Sequence, residues 1–399
     1  MRPPSIILSG ARCFVGGRFE ICSLKLIDGF IREIAPSFRA TTKDLVLNLE
    51  GTAILPGLIN AHDHLEFNLF KKIGTPPYPN YVSWGEDIHK QHKDYIEQVL
   101  RVPLGLRLLW GAYKNIFSGA TTVVHHNKFY FDFLFGYPVD VLRNYAWIHS
   151  LALDDKLEKK LTSRKARPCI IHLAEGVDDF ARSELTRLVE IGGLTKHTVL
   201  VHGIGLSLGD LAQIEDAGAS LVWCPSSNDF LFHQTAPVNQ AMGRFRIALG
   251  TDSTLTGNSS LFDEIRRGLQ VEQVRPLDAL AMVTSSPADI FGIRKGEIAE
   301  GRAADLLLYD CEEGDPLKGF VDLDVSKIKC LLRNGVPLYG DTSVVHSLQA
   351  SGTYTSMEVL KKKKMVRGDL AGLMQSISRH LPAFDFNALP IEIEVSPKA

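Results

Sequence analysis

Apolar and polar positions divide this chain into three regions of different pattern. From Ile6 to about Leu55, short apolar runs are separated by turns, and the Asp28-Gly29 pair between two such runs is typical of a β-hairpin. From residue 53 to about residue 290, short apolar strands alternate with longer amphipathic segments, which favours βα units around a parallel sheet. After Pro287 the β-type pattern returns. The pattern therefore predicts an α/β protein.

Seven strands are predicted in the central region, with amphipathic helices such as Phe180–Ile191 and Leu208–Ala217 between them. The predicted strands are Ile54–Asn60, Thr121–His125, Asn144–His149, Cys169–Leu173, Thr198–His202, Ser220–Cys224 and Arg246–Gly250. A TIM barrel needs roughly eight strands. The gap falls at residues 151–168, so either one βα unit is abbreviated there or a further strand is present.

The two ends of the chain are predicted to meet in one small sheet beside the central region. Residues 296–309 have the pattern of two strands about a turn, and residues 328–335 have the pattern of another strand. Residues 369–379 carry an apolar stripe with helical spacing. The predicted domains are a composite β-sandwich (residues 1–54 and 291–345), a catalytic barrel (residues 55–290) and a partly helical C-terminal extension (residues 346–399).

The composition of the chain gives no sign of a nucleic-acid or membrane partner. Its 399 residues carry a formal net charge of −2 and are 45% hydrophobic, which is ordinary for a globular protein. A near-neutral balance gives no reason to expect nucleic acid or an anionic membrane as partner. No apolar run approaches the length of a membrane span. The six cysteines form no Cys-x-x-Cys pair, as in a cytosolic protein with free thiols. We therefore expect a cytoplasmic protein that acts on a small molecule.

Two histidines one residue apart follow the apolar run at residues 53–55. On a β-strand, His62 and His64 project to the same side and Asp63 projects to the other. Two imidazoles that converge at the C-terminal end of a strand can bind a metal ion. A single His-x-His is a weak signal for a metal site. The residues at the other strand ends must therefore show whether the chain binds a metal ion.

Almost every predicted strand of the central region ends in a residue with a reactive or metal-binding side chain. These residues are His62, His64, His125, His126, Asn127, His149, Ser150, His172, Glu175, His202, Asn228 and Asp252. In a barrel of parallel strands, the C-terminal strand ends carry the active site. We therefore expect these side chains to surround one site.

Metal chemistry assigns a role to several of these residues. A catalytic zinc site takes a few protein ligands and leaves one position for water, which then loses a proton near neutral pH. The predicted ligands are three imidazoles and one carboxylate: His62, His64, His172 and Asp252. Glu175 lies three residues beyond a ligand and can move protons as a general acid and base. His202 is expected to orient the water or to polarise the substrate.

The motifs that carry these residues resemble the amidohydrolase superfamily. They are Pro56-Gly57-x-x-Asn60 followed by His62-x-His64, then His172-x-x-Glu175, His202 and Gly250-Thr251-Asp252-Ser253. More narrowly, they resemble its mononuclear metal-dependent branch of deaminases and chlorohydrolases, which includes cytosine, guanine and S-adenosylhomocysteine deaminases. The resemblance implies a distorted (β/α)8 TIM barrel with a flanking small β-sandwich built from both chain ends. A homodimer is common in this family and is expected here.

The resemblance also implies one divalent metal ion per chain, zinc in preference to iron, on the same four ligands. It gives Glu175 the role of proton shuttle, and it gives His202 and Asp252 a part in activating the water. The sequence has no strand-end lysine equivalent to the carboxylated lysine of the dinuclear hydrolases, which favours a single ion.

We predict a metal-dependent hydrolase that deaminates an aminated heterocycle or cyclic amidine. In this scheme metal-bound hydroxide attacks the ring carbon, and Glu175 protonates first the ring nitrogen and then the leaving amine. Hydrolysis of an amide or lactam, of a formimino group or of a chloro substituent is the alternative on the same site. A barrel that binds a ligand without catalysis is a hypothesis of another class.

Two segments depart from the family pattern. The chain between His149 and His172 is short, and His125-His126-Asn127 is not a general deaminase feature. The latter segment is predicted to bind substrate or, alternatively, to support the site from behind. The full set of predicted substrate contacts is Trp84, His125, His126, Asn127, His149, Ser150 and Asn228.

Overall fold

The computed structural model describes residues 5–154, 157–163, 166–271, 274–311, 314–386 and 391–393. Within these residues, the strands are β1 (Ile6–Val15), β2 (Arg18–Ile27), β3 (Phe30–Ala35), β4 (Leu45–Asn48), β5 (Thr52–Pro56), β6 (Leu58–Asp63), β7 (Ala120–His125), β8 (Asp140–Val141), β9 (Ala146–Ile148), β10 (Cys169–Leu173), β11 (Thr198–His202), β12 (Ser220–Trp223), β13 (Ile247–Leu249), β14 (Leu306–Asp310), β15 (Ile328–Arg333), β16 (Val336–Asp341), β17 (Tyr354–Val359), β18 (Lys362–Arg367) and β19 (Ile391–Ile393).

The α-helices of the same residues are α1 (Tyr81–Gln91), α2 (Lys93–Leu100), α3 (Leu104–Phe117), α4 (Leu157–Ser163), α5 (Asp179–Glu190), α6 (Leu208–Ala217), α7 (Pro225–Phe232), α8 (Val238–Ala241), α9 (Leu261–Val271), α10 (Pro276–Met282), α11 (Ser285–Phe291), α12 (Pro316–Val321), α13 (Thr342–Ser347) and α14 (Leu370–His380). Among the described residues, no helix combines the length and the hydrophobicity that crossing a membrane requires.

The central region is a mixed α/β arrangement of parallel strands, as the pattern predicts. One sheet has three strands in the order β6-β7-β8, and another has five in the order β13-β12-β11-β10-β9. The last strand approaches the first, because the backbone N–H of Asp252 donates to the carbonyl of His62 at 3.1 Å. The C-terminal ends of these strands therefore face the same space.

Two details of the predicted strands are corrected by the structure. The additional strand is β8 at Asp140–Val141, and α4 is a helix within residues 151–168, where the sequence left the question open. The predicted strand Ile54–Asn60 is two strands that separate at Gly57. A Cβ at Gly57 would lie 2.5 Å from the Thr121 side chain, so only glycine allows the chain to pass β7 at this point.

The strands of both chain ends lie in one sheet of eleven strands. Its order is β19-β17-β18-β16-β15-β14-β5-β1-β2-β3, with β4 paired to β1. The hairpin predicted at Asp28-Gly29 joins β2 to β3. Residues 296–309 form a single strand, β14, instead of the two predicted. Strands β17, β18 and β19 belong to the predicted C-terminal extension, and they continue this same sheet.

A cluster of buried apolar side chains packs between the parallel strands, below the residues at their C-terminal ends. It takes side chains from most of the parallel strands, and its buried members include Ala61, Val124, Ile170, Val201, Val222 and Ala248. These side chains are small or β-branched, so they pack closely between neighbouring strands. The cluster therefore holds the strand ends at a constant spacing.

A buried polar network lies on the opposite face of β6. The carboxylate of Asp63 accepts hydrogen bonds from Lys114 Nζ at 3.1 Å and from Asn115 Nδ2 at 2.7 Å. Lys114 Nζ also donates to Thr251 Oγ1 at 2.8 Å and to the carbonyl of Asp252 at 3.0 Å. Both members of the ion pair are buried. The network joins β6, α3 and the loop after β13.

Replacing Lys114 by methionine should lower the free energy of unfolding by about 3–5 kcal/mol, because Asp63 would remain as a buried charge without its cation. Urea unfolding followed by circular dichroism measures this change. The matched control is Arg244→Met, which removes an exposed pair with Glu215 and should cost less than about 1 kcal/mol. Equal losses in the two variants would contradict this role of Lys114.

Candidate active site

The C-terminal ends of the parallel strands bring several metal-binding side chains to one point. One ring nitrogen from each of four histidines lies within 4.8 Å of the others, and a second group shares one of these histidines. The first group is His62, His64, His126 and His172, and the second is His62, His202 and Asp252. All of these residues are buried. We refer to them together as the histidine cluster.

Three residues at this end of the sheet have left-handed backbone conformations. Ala174, His202 and Asp252 have φ values of 52°, 75° and 53°. Such a conformation costs about 1–3 kcal/mol in a residue other than glycine, and it persists only where surrounding contacts enforce it. The hydrogen bond from the N–H of Asp252 to the carbonyl of His62 is one such contact. The strand ends are therefore held in place by their neighbours.

The histidine cluster fits a divalent transition-metal ion. His62 Nε2 and His172 Nε2 lie 3.3 Å apart, which is the separation expected of two nitrogens bound at about 2.0–2.1 Å to one tetrahedral ion. Asp252 Oδ1 lies 3.8 Å from His62 Nε2 and 3.7 Å from His64 Nε2. Burial lowers the pKa of both His62 and His172, so both rings are neutral and each can offer a nitrogen lone pair to a metal ion. Neutral imidazoles with one carboxylate are ligands that zinc accepts.

The carboxylate of Asp252 is kept ionised by its surroundings. Its Oδ2 accepts hydrogen bonds from Ser227 Oγ at 2.9 Å and from Thr256 Oγ1 at 2.8 Å. Burial acts to raise the pKa of Asp252, but His64, His202 and the two hydroxyl groups outweigh it, and the pKa is lowered. Asp252 can therefore act as an anionic ligand or as a proton acceptor.

Glu175 lies next to His202 of the histidine cluster. Glu175 Oε1 lies 3.7 Å from His202 Nε2. Burial, assisted by Asp252 and Glu184, raises the pKa of Glu175 well above its ordinary value. His202 Nδ1 lies 2.9 Å from Asn228 Oδ1, which can only accept, so Nδ1 carries the proton and Nε2 faces the site as an acceptor. Asn228 therefore orients His202.

A cavity of about 310 Å³ lies directly above the histidine cluster. Its wall is mostly aromatic and aliphatic and is built by the segment after β6, by α1, by α2 and by the loop after β13. The lining residues include Phe67, Phe70, Tyr81, Trp84, Ile88, His89, Ile96, Leu100, His149, Leu153, Ser253 and Leu255. Larger cavities of about 910 and 640 Å³ lie elsewhere, and no residue of the histidine cluster lines them.

The start of α1 is tied to the segment that carries Glu175. The backbone N–H of Tyr81 donates to the carbonyl of Glu175 at 3.1 Å, and the N–H of Val177 donates to the carbonyl of Pro79 at 2.8 Å. Within α1, Trp84 donates its indole N–H to the carbonyl of Ile73 at 3.2 Å, which sets the orientation of its ring. The cavity wall and the acid of the site are therefore coupled through the backbone.

Several predicted site residues meet in this place, and others do not. The predicted ligands His62, His64, His172 and Asp252 meet there with Glu175 and His202, and Trp84 and His149 line the cavity. His126, predicted to contact substrate, lies within the histidine cluster. Four further predicted substrate contacts are absent from the described lining of the cavity: His125, Asn127, Ser150 and Asn228.

The structure shows what these four residues contact. His125 is fully buried, with Nδ1 at 3.7 Å from Glu66 Oε2. Asn127 donates to Glu66 Oε1 at 2.7 Å. Ser150 is fully buried and accepts from the N–H of Leu153 at 3.2 Å, and Asn228 holds His202. They support the walls of the site from behind.

Two further residues were missed because they lie on helices outside the motifs. Glu184 of α5 accepts from Tyr81 Oη at 2.8 Å and from the N–H of Ala174 at 2.8 Å, so it braces the strained residue between His172 and Glu175. Lys114 of α3 supports the loop of Asp252 from below. A signal was present in each case, since a charged residue stands on an otherwise apolar helical stripe.

Comparison with known proteins shows similarity in sequence and in fold. The model of the amidohydrolase family matches residues 142–338. A 5-methylthioadenosine/S-adenosylhomocysteine deaminase of Pyrococcus furiosus is 26% identical over 76% of this chain and 86% of its own length. The zinc complex of atrazine chlorohydrolase from Arthrobacter aurescens has a TM-score of 0.71 at 15% identity, covering 95% of this chain and 100% of that chain. A zinc-bound adenosine deaminase of Xanthomonas campestris has a TM-score of 0.69 at 17% identity, covering 96% and 99% of the two chains.

Glu184 should make the protein less stable as the pH rises from about 4.5 to about 7. Burial raises the pKa of Glu184 from 4.5 to about 7, so the folded chain holds this proton more tightly than the unfolded chain. The stabilising contribution is complete below the unfolded pKa and is lost as the pH rises through the folded pKa, by up to roughly 3 kcal/mol.

The variant Glu184→Gln removes this titration. Urea unfolding between about pH 5 and about pH 8 should show a stability difference from the wild type that grows with pH and then levels off. Glu190→Gln, exposed on the same helix, is the matched control. A difference that does not change with pH would contradict the raised pKa of Glu184.

Proposed function

We propose that the chain is a metal-dependent hydrolase of the amidohydrolase family that deaminates an aminated heterocycle. The observation that carries this proposal is the meeting of His62, His64, His172 and Asp252 beside Glu175 and His202, below an apolar cavity. Separate groups for metal binding and for proton transfer, next to a cavity for a flat ring, are what hydrolysis at an aromatic carbon requires.

The proposed ligands are His62, His64, His172 and Asp252, and the proposed cofactor is one divalent ion, zinc in preference to iron. A bound ion of this kind supplies Lewis-acid chemistry and lowers the pKa of a water molecule toward neutrality. The burial of His62 and His172 supports the proposal, because it lowers the pKa of both imidazoles and keeps them neutral and free to bind. The hydroxyl groups of Ser227 and Thr256 hold the carboxylate in position.

The proposed proton transfers use Glu175 and His202. A water molecule adds to the ring carbon that carries the amino group, and its proton passes to His202 Nε2 or to the Asp252 carboxylate. Glu175 delivers its proton to the adjacent ring nitrogen. When the carbon–nitrogen bond breaks, a proton returns to the leaving nitrogen through Glu175, and ammonia departs. Asn228 keeps His202 in the tautomer that this scheme needs.

The name of the Pyrococcus furiosus relative points to a substrate class. 5-Methylthioadenosine and S-adenosylhomocysteine share a 6-aminopurine ring, so we propose a 6-aminopurine as the first class to test. The aromatic side chains of Trp84, Phe67 and Tyr81 on the cavity wall suit a flat ring. The alternative is that the same residues catalyse a different hydrolysis, which releases chloride or opens an amide instead of releasing ammonia.

We also propose that the parallel strands form the wall of a distorted (β/α)8 barrel, and that the strands of both chain ends form the flanking β-sandwich. The contact between Asp252 and His62 supports closure of the barrel. The proposed composite domain comprises residues 1–54 and 291–345 together with β17, β18 and β19, because these strands pair in the same sheet. A cytoplasmic homodimer that binds no nucleic acid is proposed from the composition and the family.

Glu175→Gln should retain one zinc ion per chain and lose about 10²- to 10⁴-fold in kcat, because the amide cannot transfer protons. Ammonia release from a panel of 6-aminopurines, with metal analysis of the same preparations, measures both properties. Glu86→Gln, an exposed position on α1, is the control and should keep the wild-type rate. A Glu175→Gln variant with normal turnover would overturn the assignment of this residue.

The cavity should favour an uncharged substituent on the substrate. Among the described lining residues, Glu175 and Asp252 are the only carboxylates, and no lysine or arginine is present. A charged amino-acid tail buried against Ile88 or Phe70 would lose its hydration without gaining a partner. We therefore expect kcat/KM for 5-methylthioadenosine to exceed that for S-adenosylhomocysteine by at least about tenfold. Equal kcat/KM values for the two substrates, or a higher value for S-adenosylhomocysteine, would contradict the preference for an uncharged substituent.

A further inference from the structure

We propose that His126 is an additional metal ligand, so that four imidazoles surround the ion instead of the three that the family pattern implies. The inference rests on the metal centre of the proposed function and adds a residue to it. His126 follows β7, whereas the other histidines of the cluster come from β6, β10 and β11. It would therefore tie a further strand end to the ion.

The hydrogen bonding of His126 identifies its free nitrogen. His126 Nε2 lies 2.9 Å from the carbonyl oxygen of Ile148. A carbonyl oxygen can only accept, so Nε2 carries the proton and a neutral ring has its lone pair at Nδ1. Nδ1 is buried and has no hydrogen-bond partner. A protonated ring would be worse placed, because its Nδ1–H would also be buried without an acceptor.

This arrangement is the usual one for a histidine ligand. A metal-binding imidazole commonly donates its other N–H to a backbone carbonyl, which sets the tautomer and the direction of the ring. Among the described side chains, the Nδ1 atoms of both His62 and His64 are buried without partners. His126 therefore has the outer hydrogen bond that these two predicted ligands lack.

The position of the ring places His126 inside the cluster. Its centroid lies 4.2 Å from that of His172, 5.0 Å from that of His62 and 5.6 Å from that of His64. One of its nitrogens is within 4.8 Å of a nitrogen of each of these residues. Two nitrogens bound to one zinc ion lie roughly 3.3 Å apart in a tetrahedral arrangement and at most about 4.2 Å apart in any arrangement, so a pair at the outer limit of the cluster reaches one ion when each ring moves by about 0.3–0.7 Å.

Substrate contact does not account for His126. The residue is 1% exposed and is absent from the described wall of the cavity. Its neighbour His125 faces the other way, toward Glu66. The burial of His126 and its place in the histidine cluster therefore favour a shared ion over a bound substrate as the partner of its free nitrogen.

Zinc binding by matched variants tests the inference. His126→Phe keeps an aromatic ring against His172 but removes the donor nitrogen, and His125→Phe changes the adjacent buried histidine. Competition with a chromophoric chelator should show a loss of zinc affinity of at least about tenfold in His126→Phe, which is the loss that even an outer partner of a ligand causes. The affinity of His125→Phe should stay close to that of the wild type. Unchanged affinity in His126→Phe would overturn the inference.

A measurement on the wild type keeps the test independent of the folding of the variant. In the cobalt-substituted protein, each bound imidazole gives one exchangeable N–H proton with a large paramagnetic shift in the NMR spectrum. Four such signals are expected, and three would overturn the role of His126 while leaving the proposed metal centre intact. A wild-type protein that takes up neither zinc nor cobalt would overturn both.

Discussion

The buried ion pair of Asp63 and Lys114 is the interaction on which the rest of the site depends. Asp63 lies between the two histidines of β6 and projects to the opposite face, where Lys114 and Asn115 of α3 receive it. The same ammonium group holds Thr251 and the carbonyl of Asp252. Because a buried charge without its partner is costly, this pair fixes β6, α3 and the loop after β13 relative to one another. The positions of His62, His64 and the Asp252 carboxylate therefore depend on this ion pair.

Burial then decides the protonation of each group. The imidazoles of His62 and His172 lose their protons because a charged ring would be poorly solvated there, and Glu175 keeps its proton for the same reason. Asp252 is the exception, since hydroxyl donors and nearby histidines stabilise its charge. One physical cause, acting on different local partners, thus gives neutral imidazoles, an ionised carboxylate and a protonated carboxyl group at one site. These are the states that a hydrolytic metal centre requires.

The cavity and the acid are joined by the helices that cover the site. Tyr81 begins α1 and lines the cavity, and its backbone holds Glu175 while its hydroxyl group binds Glu184. Glu184 in turn fixes the strained backbone of Ala174. A change in the cavity wall can therefore alter the position of Glu175 without any contact to it. This coupling links the shape of the cavity to the position of Glu175.

The sequence by itself determined the parallel strands and the chemistry at their ends, because a strand has a period of two and the apolar runs are short and distinct. His62, His64, His172 and Asp252 were found in this way. Only the tertiary structure decided what each remaining side chain faces. His126 and His125 are neighbours in sequence, yet one joins the cluster and the other turns to Glu66. The roles of Lys114 and Glu184 and the break between strands at Gly57 depend on packing between segments that are distant in sequence. A local sequence pattern does not contain that information.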